Sequence, residues 1–135
     1  MKEISPDHLS VIITGSGEVS SLGQCLDSLS TQLLPASEFD VLVITGGGTD
    51  QEKTLEKYMR KINIRAVKPE LEGLTAAYAA GVRESKGNVL LFLKSESIAD
   101  RNLLFEHWAF HKNNPPVRKG IWAHLDQQEN VMVGQ

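Results

Sequence analysis

Two stretches, Leu9 to Thr14 and Val41 to Thr45, are almost continuously apolar, rich in Val and Ile, and each is followed directly by glycine. Unbroken apolar runs of this length are expected of strands buried on both faces of a parallel sheet. Between them Leu22, Leu26, Leu29 and Leu33 recur at steps of four, three and four, which predicts one face of a helix opened by Ser20 or Ser21 and ended before Pro35. The unit then repeats. Asp50 to Lys61 predicts a second helix, with Leu55, Tyr58, Met59 and Ile62 at helical spacing, and Ile64 to Val67 a short strand before Pro69. Gly73 to Ser85 reads as a small-residue helix carrying Ala76, Ala77, Ala79 and Ala80, and Val89 to Leu93 is the clearest buried strand. Asp100 is placed to cap a last helix running through His111. Four alternations of strand and helix predict an α/β fold with a doubly wound, mostly parallel sheet between helical layers, a three-layer sandwich. Beyond Pro115 and Pro116 the pattern weakens, with Ile121 to Leu125 as a candidate edge strand. The expectation is one domain over residues 1–135, its core at about 9–115 and its tail, 116–135, weakly patterned.

Composition narrows the function more than the fold. With 135 residues, 41% of them hydrophobic, the chain is long enough to bury a substantial core. A formal net charge of −3 argues against a nucleic-acid partner, which usually calls for a basic face large enough to move the overall balance. Cys25 is the one cysteine, so neither an internal disulfide nor a thiolate metal cage is available, and it reads as a small buried hydrophobe. Met1 to His8 is polar, without the apolar stretch of a signal peptide or membrane span. A cytoplasmic location without membrane insertion is therefore expected.

Sheets of this kind collect ligands outside the carboxyl ends of their strands, which directs attention to the loops after Ile13, Ile44, Val67 and Leu93. The first loop, Thr14, Gly15, Ser16, Gly17, Glu18, has paired glycines able to bring backbone amides near a phosphate. A dinucleotide fingerprint would need a third glycine near Ser20 and an acidic residue where Thr45 stands, so a nicotinamide enzyme is disfavoured. The second loop, Thr45, Gly46, Gly47, Gly48, Thr49, Asp50, offers close backbone approach to an anion but no Walker lysine. A plain turn with Asp50 capping the helix is an equal alternative. His107 and His111, four apart, lack an evident third metal ligand and read as an ordinary helix end. Trp108, Phe105 and Phe110 belong either to the core or to an exposed aromatic patch.

The fourth loop reads Leu91, Phe92, Leu93, Lys94, Ser95, Glu96, Ser97, Ile98. Here the chain resembles family 2 glycosyltransferases of the GT-A fold, which place an Asp-x-Asp motif directly after this strand. The resemblance extends in order along Leu9 to Pro115. Ser10 to Ile13 looks like the family's opening strand, and Cys25, Leu26, Asp27, Ser28, Leu29, Gln32 and Pro35 look like its first helix. Phe39 to Val43 ahead of Gly47, Thr49 and Asp50 is similar to its second strand and Gly-Ser-Thr-Asp turn. Gly73, Leu74, Ala76, Ala77, Gly81, Val82, Glu84, Gly87, Phe92 and Leu93 resemble its third helix and fourth strand.

The resemblance also implies groups that are absent. The Pro-Thr-Tyr-Asn type segment after the first strand is replaced by Thr14, Gly15, Ser16 and Gly17, and the aspartate pair ending the second strand by Thr45 and Gly46. The helical Arg-Asn pair facing the diphosphate is replaced by Tyr78 and Ala79, and the Asp-x-Asp by Lys94, Ser95 and Glu96. Those aspartates serve to bind a divalent cation that neutralises the leaving diphosphate. The chain ends where the family's acceptor-binding half, with its general base, would follow. The favoured expectation is a catalytically inactive, glycosyltransferase-like scaffold that binds a protein partner or itself, with no catalytic or metal-binding residue and no cofactor. Its vestigial nucleotide-binding set is Thr14, Gly15, Thr45, Gly46, Gly47, Asp50, Tyr78, Lys94 and Glu96. The alternative is a divergent or partial inverting glycosyltransferase that still binds a nucleotide-diphospho-sugar, with Mn²⁺ or Mg²⁺ as its cofactor.

Overall fold

The computed structural model describes residues 5–14, 19–45, 49–71, 73–113, 121–125 and 129–133. In chain order these form β1 (Ser5–Thr14), α1 (Val19–Ser30), a 3₁₀ turn (Ala36–Glu38), β2 (Phe39–Ile44), α2 (Thr49–Glu56) and β3 (Ile64–Val67), then α3 (Leu74–Glu84), β4 (Gly87–Lys94), α4 (Leu103–Asn113), β5 (Ile121–Leu125) and β6 (Glu129–Val133). The six strands make one sheet in the order β3-β2-β1-β4-β5-β6. β1 lies parallel to β2 and β4, β2 parallel to β3, and β4 parallel to β5, while β6 runs antiparallel to β5 at the edge.

The continuous apolar runs become strands covered on both faces because successive side chains point to opposite sides. Leu9, Val11 and Ile13 of β1, Val41 and Val43 of β2 and Leu91 and Leu93 of β4 join Leu22, Leu26, Leu29, Leu55 and Leu104 from α1, α2 and α4 in one buried cluster. Ile12, Leu42, Ile44, Leu90 and Phe92 fill the other face with Ala80, Ala77, Tyr78 and Val82 of α3. That is the expected three-layer α/β arrangement. The small-residue helix is explained by contact distance. A Cβ on Gly81 would stand 2.5 Å from Ile12 Cγ2, so α3 comes closer to the sheet than a larger residue permits. Among the described residues no helix is long and apolar enough to cross a membrane.

Several expected boundaries move, each for a local reason. α1 stops at Ser30 rather than running to Pro35, because the side chains of Ser30, Thr31 and Gln32 take helix carbonyls of Asp27 and Ser28. Leu33 is therefore 47% exposed and Leu34 is buried in its place. α2 ends at Glu56 and continues as tighter turns, with the Lys57 and Tyr58 amides donating to the Thr54 and Leu55 carbonyls. Tyr58 and Ile62 stay inside as expected while Met59 rotates out to 55% exposure. Asp50 lies within α2, whose first residue is Thr49, and so does not precede the helix as a cap. α4 starts at Leu103, not at Asp100: the Asp100 carboxylate accepts from the Arg101 amide, and the Leu104 amide is taken by Gln32 Oε1. β1 begins at Ser5, earlier than the apolar run, across a register shift between Ser5 and Leu9. The tail is a hairpin, so β6 rather than β5 forms the sheet edge.

Candidate functional site at the carboxyl edge of the sheet

Thr14 and Lys94 close β1 and β4 as register partners, so the sheet ends with these two residues side by side. The chain turns immediately after Lys94. The Ser95 amide donates to the Thr14 carbonyl at 2.7 Å and the Ser97 amide to the Lys94 carbonyl at 3.0 Å. Ser95 is buried and its hydroxyl lies 3.4 Å from Glu96 Oε2, whereas Lys94 and Glu96 are exposed. From below, the Cys25 thiol of α1 approaches the Lys94 carbonyl at 4.0 Å. Burial, and then the negative charge of Glu96, push that thiol up to about 12, so Cys25 is neutral at physiological pH and is neither a nucleophile nor a metal ligand there.

Thr45 follows β2 on the neighbouring strand. Its amide donates to the Val67 carbonyl at 3.0 Å, and its hydroxyl donates to Gln51 Oε1 at the start of α2. The position where the resemblance implies a ribose-binding aspartate is thus engaged within the protein. Tyr78 sits on α3, its ring edge-on to Phe92 with centroids 5.0 Å apart, and packs on the second core cluster. The structure therefore brings Thr14, Lys94 and Glu96 together, sets Thr45 on the adjacent strand, and gives Tyr78 a packing role. Gly15, Gly46 and Gly47 lie outside the described residues, and of Asp50 only its place in α2 is described.

The described residues at this edge do not by themselves assemble a divalent-cation site. Mg²⁺ and Mn²⁺ take oxygen ligands, commonly one or two carboxylates with phosphate and water, and among the described residues the edge beside Thr14 supplies the ammonium of Lys94 and the carboxylate of Glu96. Among the described residues no three His, Cys, Asp or Glu side chains gather as a metal site anywhere. That includes His107 and His111, whose rings lie parallel with centroids 6.1 Å apart; burial lowers the pKa of His111.

Two residues that hold the loop were not read as functional from sequence. Ser28 of α1 and Gln32 just after it hydrogen-bond to Ala99, Asp100 and Leu104. Both stand among the residues that resemble the family's first helix, but beyond that resemblance they show only a spacing of four, shared by any pair on one helix face.

Comparison with known proteins agrees with the fold. The glycosyl transferase family 2 model matches residues 10–127. Glycosyltransferase AglE of Haloferax volcanii is 30% identical over 91 residues, 65% of this chain and 30% of that protein. The poly(ribitol-phosphate) beta-N-acetylglucosaminyltransferase TarS of Staphylococcus aureus is 28% identical over 104 residues, 75% of this chain and 18% of that one. The crystal structure of TarS 1-349 in complex with UDP-GlcNAc superposes with a TM-score of 0.68 at 25% identity, covering 78% of this chain and 31% of that chain. Mannosyltransferase PcManGT from Pyrobaculum calidifontis, solved with GDP-Man and Mn²⁺, shares the fold with a TM-score of 0.64 at 16% identity, covering 80% and 35%. The chain spans less than a third of the length of the curated relatives it matches.

Proposed function

Because the chain belongs to glycosyl transferase family 2, we propose that it is a catalytically silent member: a cytoplasmic binding scaffold on the GT-A fold. The observation that carries this reading is Lys94, exposed at the end of β4 where the family resemblance implies a metal-binding aspartate. An ammonium at that position repels the divalent cation that the leaving diphosphate requires, and Glu96 alone is a poor replacement. The engagement of Thr45 by Gln51 supports the same reading, since it occupies the strand-end position of a second lost aspartate. Phe105 and Phe110, 43% and 53% exposed on different flanks of α4, are apolar groups that a protein partner or a second copy would cover.

A second reading is favoured by the fixed root of the same lysine. Its backbone is pinned by Ser97 and by pairing with Thr14, so its side chain starts from a defined point at the ligand edge. In this reading Lys94 meets a nucleotide diphosphate directly, in place of a metal, and the scaffold keeps nucleotide-sugar binding without transfer. The relative with UDP-GlcNAc bound is consistent with such a ligand class.

Isothermal titration with UDP, GDP and UDP-GlcNAc, each with and without Mn²⁺, separates the readings. No binding at millimolar ligand is the expectation for a pure protein scaffold; metal-independent binding lost in Lys94→Ala supports the second. Micromolar binding that requires Mn²⁺, about −8 kcal/mol, would overturn both. Lys94→Asp with Thr45→Asp should restore some metal-dependent binding if the pocket has kept its shape.

A further inference from the structure

We infer that the end of α1 and the turn after it, through Ser28 and Gln32, set the course of the loop from β4 to α4 and thereby position Lys94 and Glu96 at the sheet edge. The loop covers residues 95–102, and its first turn is closed by its own backbone between Lys94 and Ser97. From Ala99 onward, beside bonds within the loop and to the start of α4, it is hydrogen-bonded to α1 and the residues just after it. The Ser28 hydroxyl donates to the Cys25 carbonyl at 2.6 Å and accepts the Ala99 amide at 2.9 Å. Gln32 Nε2 donates to the Ser28 carbonyl at 3.0 Å and the Asp100 carbonyl at 2.7 Å, while its Oε1 accepts the Leu104 amide at 3.0 Å. The Leu33 amide donates to the Arg101 carbonyl at 3.0 Å.

The chemistry asks for glutamine specifically. One carboxamide donates to carbonyls and accepts from an amide at once, and Leu104 lies in the first turn of α4, where amides lack a helical partner. Glutamate keeps the acceptor and loses the donors; methionine keeps the approximate shape and loses both. The apolar side of the same contact is buried: Ala99 and Leu104 lie in the core cluster with Cys25 and Leu29. Ser28 and Gln32 are positioning residues, acting on Lys94 and Glu96 through the loop backbone. The functional weight of this clamp rests on the reading of the sheet edge as the ligand edge, whereas the clamp itself does not.

The test is residue-resolved amide hydrogen exchange on the full chain, in wild type, Gln32→Met, Gln32→Glu and Ser28→Ala. Gln32→Met should speed exchange at Leu104, and Ser28→Ala at Ala99, by about tenfold, the worth of one hydrogen bond, with Val11 and Leu91 unchanged within about twofold. Gln32→Glu should keep Leu104 protected. Uniform acceleration across the sheet, or loop amides indistinguishable from wild type, would overturn the inference. UDP titration of the same variants separates the clamp from the site. If wild type binds UDP, Gln32→Met should weaken it several-fold; if wild type does not bind, the nucleotide reading fails and the exchange result still decides the clamp.

Discussion

Removing the Asp40 carboxylate should cost this fold about 3 kcal/mol of stability. Asp40 is the second residue of β2 and is only 4% exposed. Its Oδ1 accepts the Ser10 hydroxyl at 2.7 Å and lies 3.0 Å from His8 Nε2. Ser10 is itself fully buried and its oxygen accepts the Gly87 amide at 2.9 Å, so one carboxylate ties β1 to β2 while its hydroxyl partner ties β1 to β4. In Asp40→Ala the Ser10 hydroxyl proton loses its acceptor in a dry site, at about 1–3 kcal/mol for an orphaned buried group. The His8 contact adds less, since its side chain is 20% exposed and water can replace the acceptor. The total is about 3 kcal/mol, a large share of the roughly 5–15 kcal/mol that holds such a domain together. Asp40→Asn, which keeps an oxygen for Ser10, should cost about 1 kcal/mol. Urea unfolding of Asp40→Ala, Ser10→Ala and the double variant closes the cycle. The double should fall short of the sum of the singles by about 1–2 kcal/mol. Additive losses, or an Asp40→Ala protein within about 0.5 kcal/mol of wild type, would refute the claim that this triple junction is one unit.

Two further predictions use the same unfolding assay. A Cβ on Gly87 would stand 2.3 Å from the His8 carbonyl oxygen and 2.9 Å from the Ser10 amide, both backbone, so Gly87→Ala must part β1 from β4 and should cost about 3 kcal/mol or more. Gly23→Ala is the matched control: nothing lies within 4 Å, it is inside α1, and the change should stabilise by about 0.5–1 kcal/mol. An equal effect of both changes would show that the close approach of the strands is not what excludes a side chain. Cys25 carries the alkaline prediction. Its thiol is raised in the fold from 9.0 to about 12, so above pH 9 the unfolded chain loses the proton first. The stabilisation is complete below pH 9 and is lost toward pH 12 at about 1.4 kcal/mol per pH unit. The stability advantage of wild type over Cys25→Ala should therefore shrink by roughly 2 kcal/mol between pH 8 and pH 10.5. An advantage that stays constant with pH would mean that the thiol ionises alike in both states.

What the sequence made legible follows from where the physics is local. Strands buried on both faces announce themselves by unbroken Val, Ile and Leu, and β3 emerged at its expected bounds, Ile64–Val67. Helix ends were less legible, because they depend on side chains that compete for backbone groups. Leu33 continues the leucine spacing faultlessly, yet Ser30, Thr31 and Gln32 end the helix first. β6 escaped because its five residues include only three consecutive apolar ones, Val131 to Val133, too short a run to carry a period. The Ser10–Asp40 junction was invisible for a different reason. Ser10 and Asp40 look like ordinary polar residues at strand starts until the parallel register sets them opposite one another.

The same separation explains why family membership is plain while the chemistry has to be argued. Many of the matched features are interior ones: Val11, Val41 and Leu93 within strands, and Gly81 and Gly87 where backbone or helix approaches too closely for a side chain. A change there has to be absorbed by packed neighbours, at a cost of kilocalories. Apart from Tyr78 and Ala79 on α3, the described departures fall at strand ends, at Thr45, Lys94 and Glu96, where the backbone is already satisfied by Val67, Ser97 and Thr14 and the side chains of Lys94 and Glu96 reach solvent. Substitution at such positions costs the fold little, so the scaffold can persist whether or not the ligand does. It follows that stability measurements alone will never distinguish a silent scaffold from a nucleotide binder in this chain. Only a ligand-resolved measurement at the carboxyl edge, where Lys94 replaces a carboxylate, bears on that choice.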